Sequence, residues 1–179
     1  MEALVAAGLG LDYTDLRFSR TTEAWLLAGA KLRDLVADAL CGLTASVEAV
    51  GSSSVLDLLA KPIIDLAVGL DASNPISVVQ SRLESVGWIC RGDAGSHGGY
   101  VFVLESQPWH RVGHLHVVDR EGSQWRDYGR LRDLLRHSPE ARQHYEAVKV
   151  SLSQQADIDR ETYTLCKTEV VASLLRTLE

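Results

Sequence analysis

Two stretches of this 179-residue chain combine residue types and spacings that can do chemistry. The first runs Val50-Gly51-Ser52-Ser53-Ser54-Val55 and continues, past a short apolar piece, to Lys61-Pro62-Ile63-Ile64-Asp65-Leu66-Ala67. Gly51 to Ser54 is small and hydroxyl-rich, so its backbone N–H groups are open to a ligand, and successive amides in such a turn cradle anions. Asp65 interrupts an apolar, β-branched run bounded by Pro62 and Gly69 that reads as a buried strand. Desolvating a carboxylate there costs on the order of several kcal/mol unless a metal or donors compensate. The pair therefore suggests a phosphate held by Gly51, Ser52 and Ser53 against Mg²⁺ held by Asp65. The plainer alternative is a tight turn and an Asp satisfied by neighbouring donors. Lys61 either pairs with Asp65, reaches the same phosphate or points to solvent.

The second stretch is His114-Leu115-His116-Val117-Val118. Alternation along a strand puts both imidazoles on one face. There they could bind a transition metal, act as acid–base groups, hold phosphate oxygens, or form a hydrogen-bonded structural pair. His97, His110 and Asp119 are available as further metal ligands, but no spacing implicates them. Arg126, Arg130, Arg132 and Arg136 recur at helical spacing, with Arg132 and Arg136 on one face. One of them, Arg132 first, could grip a phosphate bidentately. A solvated face paired with Asp127, Asp133 and Glu140 is the alternative. No Ser-His-Asp order, Cys–His pair, dinucleotide fingerprint or P-loop is present, so hydrolase and kinase readings have no support.

These residues resemble the signature of the GrpB-like family, within the nucleotidyltransferase superfamily of DNA-polymerase-β-type fold. The resemblance rests on Gly51 to Val55, Leu58, Ala60 to Asp65, His114 to Val118, Gly122-Ser123, Trp125-Arg126, Leu131 to Arg136, Pro139 to Ala141, Tyr145, Lys149, Tyr163 and Lys167. It implies a nucleotide such as ATP with Mg²⁺ as cofactors. It also implies catalytic roles for Asp65, His114 and His116, and a pocket-lining role for Lys167. Four departures stand out. Leu56-Asp57 replaces the usual Pro-Gly. Leu32 stands where relatives carry an acid. Ala67 replaces the second acid of the superfamily's Asp-x-Asp strand, and His116 stands where superfamily analogy puts a third carboxylate.

The elements that must position these groups follow from period and punctuation. Apolar residues recur at helical spacing over Thr22 to Leu40, with Thr22 or Thr21 as cap and Gly42 as stop. Ser46 to Val50 alternates as a strand, Val55 to Ala60 reads as a helical turn or two, and Ile76 to Val86 as a helix. Trp88 to Cys90, Tyr100 to Leu104 and Arg111 to Val118 read as strands. The Arg91 to Gly99 loop holds four glycines in nine residues. Beyond Gly122 the pattern is helical to the end, restarting at Ser138-Pro139-Glu140. Met1 to Leu11 is apolar but carries Glu2 and no basic segment, so it reads as a short helix or packing arm rather than a signal peptide.

An apolar share of 46% with 23% charged is ordinary for a globular chain, and a net charge of −6 disfavours a protein that coats nucleic-acid backbone. No run reaches membrane-spanning length. Cys41, Cys90 and Cys166 are far apart without metal spacing, which fits reduced, partly buried thiols and a cytoplasmic setting. The expectation is one α/β domain over residues 1–179. Its mixed, nucleotidyltransferase-like sheet (about 45–120) would be flanked by helices, with a helical C-terminal part (about 122–179). The expected function is transfer of a nucleotidyl or phosphoryl group onto a small molecule, the alternative a non-catalytic module that binds a nucleotide-like ligand or assists a partner enzyme.

Overall fold

The structure is a computed structural model describing residues 1–93, 99–154 and 160–177, with side chains at 153 and 160–167 outside the description. The chain opens with α1 (Glu2–Ala6) and two short strands, β1 (Leu11–Asp12) and β2 (Ser19–Arg20). Helix α2 (Glu23–Ala39) follows, capped by Thr22, whose side chain accepts from the Trp25 amide. Then come β3 (Ala45–Ala49), a tight turn at Ser52–Ser54, β4 (Leu59–Ala60) and β5 (Ile64–Leu70). Helix α3 (Ile76–Ser85) leads to β6 (Trp88–Asp93), β7 (Tyr100–Gln107) and β8 (His110–Asp119). Helices α4 (Ser123–His137), α5 (Pro139–Ser153) and α6 (Arg160–Arg176) complete it.

The main sheet has the order β3-β5-β8-β7-β6, with β1 added at the start of β8. Only β5 and β8 run parallel among its paired strands; the other pairs are antiparallel. One face, carrying Leu66, Val68, Phe102, Leu115 and Val117, is buried under α1, α2 and α3 with Trp25, Leu32, Val36 and Leu83. Each such side chain contributes roughly 1.5–3 kcal/mol by leaving water. Alternation sends Asp65, Ala67 and Gly69 of β5, with His114 and His116 of β8, to the opposite face. Helix α4 crosses that face at Gly69, where a Cβ would lie 2.7 Å from the Trp125 ring. A second core joins α4, α5 and α6 through Leu131, Leu135, Ala141, Tyr145 and Leu174 to Val55 and Leu58, just after the serine turn. The C-terminal helices are thereby fastened to the segment that shapes the site.

Several local expectations are corrected. Val55 to Ala60 is a bend ending in β4, which pairs with β2; Val55 and Leu58 are spent on the second core instead of a helix. Leu35, one of the apolar residues whose helical spacing predicts the inner face of α2, is exposed, as is Cys41. Strand β7 continues through Glu105 to Gln107, leaving a turn of Pro108 and Trp109, the latter at φ +68°. His97 lies outside the described residues. Among those described, no helix is long and apolar enough to cross a membrane.

Candidate functional site

Parallel pairing sets Asp65 of β5 directly beside His114 of β8. The two side chains touch, Asp65 Oδ1 to His114 Nδ1, at 3.5 Å. On the far side of the ring, Arg111 Nη1 lies 3.4 Å from Nε2. A guanidinium only donates, so Nε2 is the acceptor and the Nδ1 proton faces Asp65. Arg111 is itself only 3% exposed and stacks on Tyr13 of the β1 segment, its guanidinium carbon 4.2 Å from the ring centroid. Strand parity alone would put Arg111 on the other face from His114. A register shift against β7, where Leu104 and Glu105 face Gly113 and Arg111, inserts Val112 as an extra residue and brings Arg111 round.

The serine turn faces the other oxygen of Asp65. Gly51 has φ +66°, and a Cβ there would lie 3.0 Å from Asp65 Oδ2. All three serine side chains are engaged. Ser53 Oγ accepts from the Asp65 amide at 3.0 Å, and Ser54 Oγ donates to the Gly51 carbonyl at 2.8 Å. Ser52 Oγ accepts from Lys149 Nζ at 2.7 Å, and the same ammonium donates to the Leu59 carbonyl at 2.8 Å. The backbone amides of Gly51, Ser52 and Ser53, by contrast, have no hydrogen-bond partner among the described residues. Successive N–H groups that no described protein group accepts from can hold an anion where they converge.

The predicted arginine and its neighbour divide the work. Arg132 donates to Glu48 at 2.9 Å, to the Ala49 carbonyl at 3.3 Å and to Asp133 at 2.8 Å, which clamps α4 to the end of β3. Its hydrogen bond to Asp133 holds its pKa above the usual value. Arg136, one turn on, donates to the Ser54 carbonyl at 3.0 Å. Burial, then the neighbouring Arg132 charge, press its pKa below the usual guanidinium range. An anion beside it would relieve both pressures. Lys61 is half-buried in the loop between β4 and β5. His116 sits two residues along from His114, its ring 5.6 Å from that of Tyr128. The side chains of Tyr163 and Lys167 fall outside the described residues.

Two cavities flank Asp65 and His114. The smaller, about 130 Å³, is lined by Ser53, Ser54, Asp65 and Arg136, and closed by Trp25 and Arg33 of α2. The larger, about 390 Å³, is lined by Tyr13, Arg91, Arg111, His114 and His116 over Val101 and Val103. Arg111 and Tyr13 had no motif to announce them, and Arg136 was one of four helical arginines that spacing could not rank. For metal binding the donor set is sparse. Among the described residues no three His, Cys, Asp or Glu side chains converge. Ala67 is 0% exposed, paired in register with Glu48 and His116, and the Glu48 carboxylate is held by Arg132. Asp65 alone offers a carboxylate next to the amide cradle. That suits one hard cation shared with a phosphate and does not suit a two-ion site.

Comparison with known proteins adds the following. The family model described as GrpB protein matches residues 16–177. The Glutamate-rich protein GrpB of Alkalihalophilus pseudofirmus is 25% identical over 170 residues, covering 93% of this chain and 98% of that protein. The crystal structure of conserved protein GrpB from Enterococcus faecalis superimposes with a TM-score of 0.76 at 23% identity, covering 90% of this chain and 99% of that one. The Cid1 poly(U) polymerase, in a structure with Mg and 3′-dATP bound, gives a TM-score of 0.52 at 14% identity over 73% of this chain and 42% of its own. At those identities the likeness establishes a fold, the mixed α/β fold of nucleotidyltransferases.

Proposed function

From the premise that this chain belongs to the GrpB family, we propose that it binds a nucleotide by its phosphates and moves a nucleotidyl or phosphoryl group onto a small acceptor. The observation that carries this reading is the run of open amides at Gly51, Ser52 and Ser53, in a turn whose Ser53 and Ser54 line the smaller cavity with Asp65 and Arg136. The amides and the Arg136 guanidinium hold phosphate oxygens, and the serine hydroxyls brace the turn. A volume of about 130 Å³ holds the phosphate end, with the nucleoside outside it. Mg²⁺ arriving with the nucleotide would be held by Asp65 and would neutralise phosphate charge there.

Asp65 is also the group that can take a proton from an acceptor hydroxyl. That oxygen then bonds to phosphorus, the bond to the bridging oxygen breaks, and the leaving group, pyrophosphate in nucleotidyl transfer or the nucleoside diphosphate in phosphoryl transfer, keeps the electron pair. His114, whose Nδ1 lies 3.5 Å from Oδ1, flanks the carboxylate, and Arg111 fixes the imidazole from its Nε2 side. A second reading, a binding module without turnover, is favoured by the lack of a carboxylate at Ala67.

Calorimetric titration with Mg²⁺-ATP, followed by product analysis with candidate acceptors, separates the two. Binding with product supports transfer, and binding without product supports the module. Asp65→Asn should fold and weaken the Mg²⁺-nucleotide complex at least about tenfold, roughly 1.4 kcal/mol. Absence of any nucleotide binding by the parent sinks both readings.

A further inference from the structure

The smaller cavity accounts for phosphate. The larger one, on the other side of the Asp65–His114 pair, enters that reading only through His114 and Arg111 as supports of Asp65, and its own chemistry is specific. Its lining contains two guanidinium groups, Arg91 and Arg111, two imidazoles, His114 and His116, and one phenol, Tyr13, over a floor of Val101 and Val103. No carboxylate is among the described lining residues, in a chain of net charge −6. Glu105 stands behind the wall, where it accepts from Tyr13 at 2.7 Å and from Arg91 at 2.9 Å. It fixes the two side chains that present to the cavity. Arg111 is fixed in turn by the Tyr13 ring and by His114. Rigid cationic donors around an apolar floor form a receptor for a small anion with an uncharged body.

We propose that this cavity is the subsite for a small acceptor carrying a carboxylate or phosphate group, which Arg111 and Arg91 grip while its hydroxyl or amine points toward His114. The role as acceptor rests on the transfer reading above; the anion site does not. His114 belongs to this cavity and Asp65 to the smaller one, and the two side chains touch at 3.5 Å. An acceptor seated here would have its hydroxyl at His114, one side chain from the Asp65 carboxylate that takes the proton and from the phosphorus held at the Gly51 turn. The volume, about 390 Å³, suits a metabolite of a few carbons with its anionic group.

The test uses the whole protein and three probes matched in size: glycerol 3-phosphate, glycerate and, as neutral control, glycerol. NMR follows the imidazole resonances of His114 and His116. At least one anionic probe should move both resonances to saturation while glycerol does not. A response to the phosphate ester alone, or to glycerate alone, assigns the anion class. Arg111→Met should weaken that binding at least tenfold and Arg91→Gln at least threefold. Should the buried Arg111 variant fail to fold, Arg91→Gln decides, because that side chain lies near the surface. The proposal is overturned by unsaturable shifts, by an equal response to glycerol, or by an unchanged affinity in a folded Arg91→Gln. A parallel titration with Mg²⁺-ATP, read at the Gly51 to Ser53 amides, keeps the two readings apart. Anion binding without an amide response removes the transfer reading alone, and an amide response without anion binding removes the acceptor subsite alone.

Discussion

Lys149 reaches from α5 to the hydroxyl of Ser52, 97 residues earlier, and closes a 2.7 Å hydrogen bond in a setting where the lysine is only 3% exposed. The ammonium also lies 4.5 Å from the centroid of the Tyr145 ring. The helical lobe is thus latched onto the anion turn by one buried cation. Lys149→Met should cost about 2–4 kcal/mol, since it strands the Ser52 hydroxyl and the Leu59 carbonyl in a dry site. Thermal melting reads this at roughly 2–4 °C per kcal/mol for a chain of this size. A loss below about 1 kcal/mol would mean that water replaces the ammonium and the latch contributes little.

The turn should respond very differently to its two kinds of group. Gly51 combines φ +66° with ψ −170°, a region held essentially by glycine alone. Gly51→Ala should cost about 1–3 kcal/mol in backbone strain and displace Asp65 as well. Nucleotide binding should fall at least tenfold. Ser52→Ala should lower stability yet leave nucleotide affinity within about threefold, because the amide rather than the hydroxyl meets the phosphate. A folded Ser52→Ala that no longer binds nucleotide would transfer the role to the hydroxyl.

The parts of this site that were legible in the sequence are those whose signals are local. Thr22 and Ser138 cap their helices with bonds to amides three residues away, and Asp65 announces itself by breaking an apolar strand. What could not be read depends on partners far along the chain or on broken periodicity. Strands β1 and β2 are two residues each, too short to show a period. That the Ser52 hydroxyl is engaged could not be read locally, because its partner, Lys149, comes 97 residues later. Arg111 was hidden by the bulge at Val112, since alternation sends it to the wrong face. Arg132 and Arg136 share one helical face, and only the packed structure tells the clamp from the cavity-lining charge.

Tyr13 and Glu105 give the larger cavity a pH window. The hydrogen bond from Tyr13, with lesser help from the Trp109 amide and Arg91, holds the Glu105 carboxyl below its usual range. Burial, then the bond to Glu105, push the Tyr13 phenol up. A depressed carboxylate stabilises the fold above its unfolded value and loses that contribution as pH falls through the folded one. A raised phenol stabilises below about pH 10 and loses it as pH rises further. Tyr13→Phe should therefore be less stable than the parent by a gap that is flat from about pH 5 to 9.5 and narrows at both ends. Its size should be about 1 kcal/mol after allowance for solvent at this partly exposed cluster. Urea unfolding across that range measures it. A gap that stays constant below about pH 3 would assign the loss to the bond that Arg91 donates to the phenol oxygen instead.

Ala67 decides between transfer by paired ions and the single-carboxylate chemistry argued above. It lies on the same face as Asp65, two residues along β5, where a second acid would complete a two-ion site. Yet it is 0% exposed, and its strand neighbours are Glu48 and His116. A new carboxylate there would be desolvated and would stand across the strand from the Glu48 charge. Ala67→Asp should consequently destabilise the protein by a few kcal/mol, on the order of 2–4, with no gain in Mg²⁺ affinity. Calorimetric Mg²⁺ titration beside thermal melting gives both numbers from one preparation. If the variant instead keeps its melting temperature and binds Mg²⁺ more tightly, position 67 belongs to the metal site. The parent pocket would then have the geometry of a two-ion transferase lacking one ligand, and the single-carboxylate mechanism would have to be abandoned.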